Sequence, residues 1–276
     1  MMIADKIGDC FLHAVREKER LFQKHVSTNV PGIAATKVAL RRVLACADFI
    51  GWSRREESGR LDRRALTRYA VGDASIFSRR AYKESTASVV QILIDISAST
   101  ELPAEKNGTV SRVEIFSEVA AHLAKLLDEC KVALGITGFY GSRFQLSATD
   151  VEESVTFTEI KGYKESLRSA QASIAALPHV VDGSTPDYSA LSETIQSLSR
   201  RPEQRKILFI LTDVDDYQVK HIQHLNEVAK KLGIVIIGIG VGRADITKCF
   251  THSANVKSVA EVFTQSFNKL LNSLKG

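Results

Sequence analysis

Hydrophobic positions recur along this 276-residue chain at two spacings, and the changes of spacing divide it into elements. Over residues 4–25, Ile7, Phe11, Ala14, Leu21 and Phe22 fall near one helical stripe with charge on the other side. Val30, Pro31 and Gly32 interrupt it. A second amphipathic run over 33–50 sets Leu40, Leu44 and Ala47 on its apolar side. Residues 52–60 read as polar and turn-like, a short helix capped by Asp62 follows to about Tyr69, and 71–87 read as an extended lead-in. The apolar run 89–94 (VVQILI) then predicts a strand buried on both faces.

Beyond it, Phe116, Val119, Leu123 and Leu127 share one face of a helix over 111–130, and 131–140 return as a strand. Alternation over 153–160 suits an edge strand, and a helix over 163–177 ends at Pro178. Pro186 suits the first position of another helix, with Thr185 or Ser184 as its cap. Strands are predicted at 205–213, 234–241 and 255–260, and helices at 217–232 and 261–274. This β-α-β alternation implies an α/β fold, a doubly wound and mostly parallel sheet preceded by a helical amino-terminal extension. The expected division is a basic helical region over 1–85 and the sheet domain over 86–276.

Composition narrows the function classes. Hydrophobic residues at 44% and charged residues at 25% are those of an ordinary globular protein. No apolar run nears the roughly 18 residues of a membrane span, and the opening residues lack a basic leader before an apolar core. Cys10, Cys46, Cys130 and Cys249 are widely separated, as reduced thiols of a cytoplasmic protein would be. Residues 1–88 hold 17 Lys/Arg against 10 Asp/Glu, whereas 89–276 hold 20 against 22. That basic excess suits a solvated face or one docking an acidic protein; with no reader motif, nucleic acid ranks last among partners.

Candidate chemistry sits at strand ends. The 89–94 strand runs into Asp95, Ser97 and Ser99, alternate residues that point one way. In an open α/β sheet ligands bind beyond the carboxyl ends of strands, and hydroxyl and carboxylate oxygens are hard donors suited to magnesium. Alone, this pattern is weak, since Ser and Asp after a strand more often only cap the next helix. The segment 183–187 (GSTPD) and the strand 207–213 ending in Asp213 change that balance. Asp95 and Asp213, with Asp215 and Asp216 behind, would repel one another at neighbouring strand ends unless a divalent cation intervened. Gly238, Gly240 and Gly242 have the wrong spacing for a dinucleotide loop and read as a glycine turn near the sheet edge. His221 and His224 read as solvated surface, and no catalytic Ser/His/Asp or Cys/His set assembles.

Taken in order, the three segments resemble the metal-ion-dependent adhesion site (MIDAS) of von Willebrand factor A domains. That resemblance implies Asp95, Ser97, Ser99, Thr185 and Asp213 around Mg2+ or another divalent cation, with a position open to a partner's carboxylate. Residues 59–66 (GRLDRRAL), 89–99, 201–213 (RPEQRKILFILTD) and 238–247 further resemble the carboxyl-terminal half of the aerobic cobaltochelatase subunit of cobalamin biosynthesis, over about 38–274. Members of that family pair with a MoxR-type AAA+ ATPase, so the resemblance implies a non-catalytic adaptor or chelatase subunit. Its basic 1–85 region is expected to supply a second docking surface. The chain departs from the family at Val214, at Ser99-Thr100 and in the longer loop 101–111, which leave the five ligands in place.

Overall fold

A computed structural model describes residues 2–44, 46–69, 72, 74–85, 88–105, 108–145, 151–213, 219–241 and 246–263. In chain order the elements are α1 (Met2–Ser27), α2 (Ile33–Leu44), β1 (Cys46–Glu56), β2 (Arg60–Leu61), α3 (Leu66–Tyr69), β3 (Phe77–Ser85) and β4 (Ser88–Asp95). They continue with α4 (Arg112–Glu129), β5 (Ala133–Gln145), β6 (Val151–Lys161), α5 (Leu167–Ala176), α6 (Asp187–Ser199) and β7 (Arg205–Thr212). Last come α7 (Val219–Lys231), β8 (Ile234–Val241), β9 (His252–Val256) and α8 (Val259–Glu261). Two compact units result, one of Met1–Leu44 with Ser88–Gly276, the other of Ala45–Ala87.

The larger unit is built on a six-stranded sheet in the order β6-β5-β4-β7-β8-β9, parallel except for the antiparallel edge strand β6. Every residue of β4 is buried, and its side chains alternate between two cores. Val90, Ile92 and Ile94 join a core shared with α4, α5 and the amino-terminal helices. Val89 and Leu93 join the core formed with α6 and α7. Each such side chain removed from water contributes roughly 1.5–3 kcal/mol. Helix α4 starts at a capping box, with Ser111 and Glu114 each satisfying the other's backbone N–H.

The amino-terminal helices belong to this unit. Phe22, Leu40 and Leu44 are buried in its first core, and Gln23 bonds Gln171 of α5 at 3.1 Å. Lys37 pairs with Glu129, and Lys125 Nζ donates to the Val26 carbonyl at 3.4 Å. Leu21, expected on the apolar stripe, instead faces outward.

The smaller unit differs most from the sequence reading. The expected helix over 33–50 stops at Leu44, and the expected turn over 52–60 lies largely within β1. Strand β1 forms because β3 supplies an antiparallel partner, from Cys46 opposite Ser85 to Glu56 opposite Phe77, and β2 flanks β3 on its other side. A bulge at Arg55, with φ of 64°, lets the strand absorb an extra residue. The region 1–85 is therefore helical only in part. Asp62 does cap the turn that leads into α3, its Oδ1 accepting from Arg64 N at 3.1 Å.

Two smaller corrections concern the larger unit. Gly238 and Gly240 lie inside β8, not in a turn; a Cβ there would stand 2.6 Å from Phe250 and 2.7 Å from Asn255 respectively, so they admit a close approach. Gly242 lies outside the described residues, as do Asp215, Asp216, Val214 and the carboxyl-terminal helix beyond Phe263. Helix α6 begins at Asp187 with Pro186 in the cap position, so neither Thr185 nor Ser184 caps it. Among the described residues no helix is long and apolar enough to cross a membrane.

Candidate metal centre

Three loops meet at the carboxyl edge of the large sheet. At the end of β4, Asp95 is fully buried, and its Oδ1 accepts from the Ser97 backbone N–H at 2.9 Å. That bond turns the chain into a 3-10 turn over Ala98–Glu101, closed by Thr100 Oγ1 donating to the Ser97 carbonyl at 2.7 Å. Ser99 is thereby returned beside Ser97, their hydroxyl oxygens 3.0 Å apart.

The second loop is pinned on both sides. Gly141, late in β5, exchanges two backbone bonds with Ser184 at 2.7 and 3.0 Å. Ala98 N donates to the Gly183 carbonyl at 3.1 Å, and Asp182 N to the Ile96 carbonyl at 3.0 Å. Gly183 makes this possible. Its φ is +66°, and a Cβ would lie 2.0 Å from the Gly141 carbonyl oxygen. Thr185 then reaches Ser97 at 2.7 Å and Ser99 at 3.3 Å, oxygen to oxygen.

The third loop follows β7. Ser99 Oγ donates to Asp213 Oδ1 at 3.1 Å, and Arg112, at the start of α4, pairs with Asp213 Oδ2. One residue earlier, Thr212 Oγ1 lies 3.0 Å from Asp95 Oδ2 and 2.7 Å from Asp187 Oδ1. All five residues expected at the site therefore gather at one point.

The oxygens outnumber the protons available to join them. Ser97, Ser99 and Thr185 carry one hydroxyl proton each for four contacts among themselves and Asp213. Thr212 has one proton for two carboxylates. Burial, and then the charge of Asp213, raise the Asp95 carboxyl to about 7, against the hydrogen bonds from Ser97 and Thr212. A cluster rich in lone pairs and short of protons is one that a cation completes.

Its dimensions fit a small hard cation. Ligands at 2.0–2.1 Å in octahedral coordination place neighbouring oxygens about 2.9 Å apart. The hydroxyl triangle has edges of 2.7, 3.0 and 3.3 Å, close to one face of such an octahedron. Among the described residues no three His, Cys, Asp or Glu side chains gather as a metal site, so this centre draws on hydroxyls as much as carboxylates. Ser99 and Thr185 are half-buried, which leaves the triangle an open side.

Arg112, Thr212, Asp187 and the Gly141–Gly183 approach were not anticipated as parts of this centre. For Arg112 a signal existed: a cation in the first turn of a helix opposes the helix dipole unless an anion stands nearby. Its Nε is buried without a hydrogen-bond partner among the described residues, so the guanidinium is held by Asp213 and little else. His221 and His224 are exposed, as expected of solvated surface.

Fold and site together define a parallel-sheet domain with a hydroxyl-carboxylate centre on its carboxyl edge. The family model of the von Willebrand factor type A domain matches residues 90–275, and the chain belongs to that family. Solved structures with related folds include the PilB minor pilin from Streptococcus sanguinis, 18% identical over 68% of this chain and 61% of that one, TM-score 0.47. Another is BatB from Bacteroides thetaiotaomicron, 14% identical over 68% of this chain and 98% of that one, TM-score 0.43. A third is proximal thread matrix protein 1 from the mussel byssus with a zinc-occupied MIDAS motif, 16% identical over 67% of this chain and 46% of that one, TM-score 0.46. The chain thus spans less than two thirds of the pilin and of the thread protein, and at such identities the likeness carries nothing about function. No curated protein matches the sequence.

Proposed function

We propose that this chain is a metal-dependent binding adaptor. The observation that carries the reading is the triangle of Ser97, Ser99 and Thr185 oxygens, sized as a face of a magnesium octahedron and backed by Asp95 and Asp213. When bound, Mg2+ supplies a Lewis-acidic position that accepts one more oxygen ligand. The chain's own residues do the rest. The three hydroxyls would hold the ion, and Asp213, beside Ser99, would neutralise it. Asp95 fixes the loop through Ser97 N and adds charge once ionised. The remaining position takes a carboxylate from an acidic residue of a partner. No nucleophile or general base is asked of this arrangement.

The resemblance of residues 59–66, 201–213 and 238–247 to the aerobic cobaltochelatase subunit supports a MoxR-type AAA+ ATPase as that partner, in the cytoplasm. ATP-driven remodelling of a client would then be transmitted through the metal-bridged contact. A role as a genuine subunit of a cobalt chelatase is the narrower form of the same reading.

The test is co-purification with a MoxR-type ATPase, with Mg2+ and with EDTA, for wild type and Asp95→Ala. Binding lost in EDTA and in the variant, with the fold retained by circular dichroism, is expected. Equal binding in all conditions would sink the proposal.

A further inference from the structure

The smaller unit carries an unassigned surface of different chemistry. Residues 45–87 hold nine Lys/Arg, eight of them Arg, against six Asp/Glu. Trp52 and Leu61, both exposed, line a depression of about 500 Å³ together with Arg54, Arg60, Arg63 and Arg64. The Arg60 guanidinium lies 5.7 Å from the centre of the Trp52 ring. Asp62 also lines the depression, but its carboxylate already serves as a cap, accepting from Arg64 N. Among the described residues none of these four arginines is in an ion pair. Leu66 and Tyr69, in α3, are also exposed, Tyr69 at 64%.

From this we infer that the Trp52–arginine depression docks a short acidic polypeptide segment bearing at least one apolar side chain. Four guanidiniums against one carboxylate in so small an area call for anions, and their planar forks pair with carboxylates in a bidentate manner. An exposed tryptophan and leucine among them call for an apolar group that reaches the same spot. A peptide alternating acidic and apolar residues meets both demands.

Single-stranded nucleic acid is the competing class, since arginines beside an aromatic ring also make a stacking platform. Three features favour the peptide. The unit's excess charge is only three. Asp62 and Glu57 stand within or beside the arginine run, where a continuous phosphate backbone would meet them. Leu61 and Leu66 offer no face for base stacking.

Trp52 is the chain's one tryptophan, so its emission reports this site alone. The full chain is titrated with a peptide of alternating Glu and Leu, with its Lys-Leu counterpart, and with a thymidine oligonucleotide of equal length. Saturable change in Trp52 emission with the Glu-Leu peptide, absent with Lys-Leu, is expected. Arg60→Gln with Arg63→Gln weakens it about tenfold at unchanged melting temperature, and Trp52→Phe leaves an affinity measurable by peptide anisotropy. EDTA and Asp95→Ala leave it unchanged, which separates this inference from the fate of the metal centre. No saturable change up to about 1 mM peptide, the weak end of specific recognition, overturns the inference. So does tighter binding of the oligonucleotide, which would assign the surface to nucleic acid.

Discussion

Two polar clusters lie on the same face of the same buried strand. Gln91 and Asp95 are four residues apart on β4, roughly 13 Å at 3.3 Å per residue, yet their surroundings are opposite in kind. Around Gln91 the books balance. Both amide protons are used, by Thr137 Oγ1 at 2.9 Å and the Ile92 carbonyl at 3.3 Å, and Oε1 accepts from the Tyr163 hydroxyl at 2.5 Å. Burial pushes the Tyr163 phenol up to about 12, so it stays a donor, and its ring packs under the Arg201 guanidinium at 4.5 Å. Around Asp95 there are too few protons for the oxygens, and one arginine. The contrast separates a polar group whose hydrogen bonds are complete from a cluster whose oxygens exceed its protons, the imbalance on which the proposed metal role rests.

The largest effect is expected from breaking the closed cluster. Gly135 sits where a Cβ would lie 2.3 Å from Gln91 Oε1 and 2.8 Å from Tyr163. Gly135→Ala should destabilise the fold by about 3 kcal/mol, read by denaturant unfolding, while Mg2+ binding persists in the fraction that folds. A loss below about 1 kcal/mol would mean that the network yields more readily than this geometry implies.

A third buried group tests whether imbalance alone marks a ligand site. His122 is 2% exposed, and its Nε2 has no hydrogen-bond partner among the described residues. It is edge-on to Phe263, with ring centres 5.6 Å apart. Burial, and then the positive charges of His25 and Lys125, lower its pKa from 6.5 to about 4. It is therefore neutral in the folded chain where the unfolded chain is charged. The stability that this group contributes is complete above pH 6.5 and is lost as pH falls towards 4. His122→Phe should flatten that decline in pH-dependent unfolding; an unaltered slope would assign it to other groups.

The smallest effect sharpens the open cluster. Arg112 already neutralises Asp213 through Oδ2, while Oδ1 faces Ser99, so its charge opposes that of an entering ion. Arg112→Gln should raise Mg2+ affinity roughly fivefold, about 1 kcal/mol, by calorimetric titration. Weaker affinity in the variant would instead make Arg112 the group that orients Asp213.

The parts legible in the sequence are those whose cause is local. Apolar β-branched runs that stop at an oxygen-bearing residue betray β4 and β7, and Ser111 with Glu114 announces the start of α4. The smaller unit was hidden because its cause is distant. Residues 52–56 (WSRRE) have no apolar alternation, and they become a strand only by pairing with the chain near residues 77–80. Arg112 was missed for a related reason: its partner lies 101 residues away. Within the cluster itself, Asp95, Ser97, Ser99, Thr185 and Asp213 could be named from the sequence through their resemblance to a known motif. The counter-charge and the glycine approach that hold them could not, because both belong to packing between loops.

The stitched loop around Gly183 has a kinetic consequence. Thr185 is tied to the β4 loop through Ala98 and Asp182, and to β5 through Gly141, so the third hydroxyl is in place before any ion arrives. Among the described residues of these two loops, no segment would then have to become ordered for an ion to load. For the metal role proposed above, the slow step would then be the shedding of water by the incoming ion. A centre prepared in this way would fill at the pace of ligand exchange, not of conformational search.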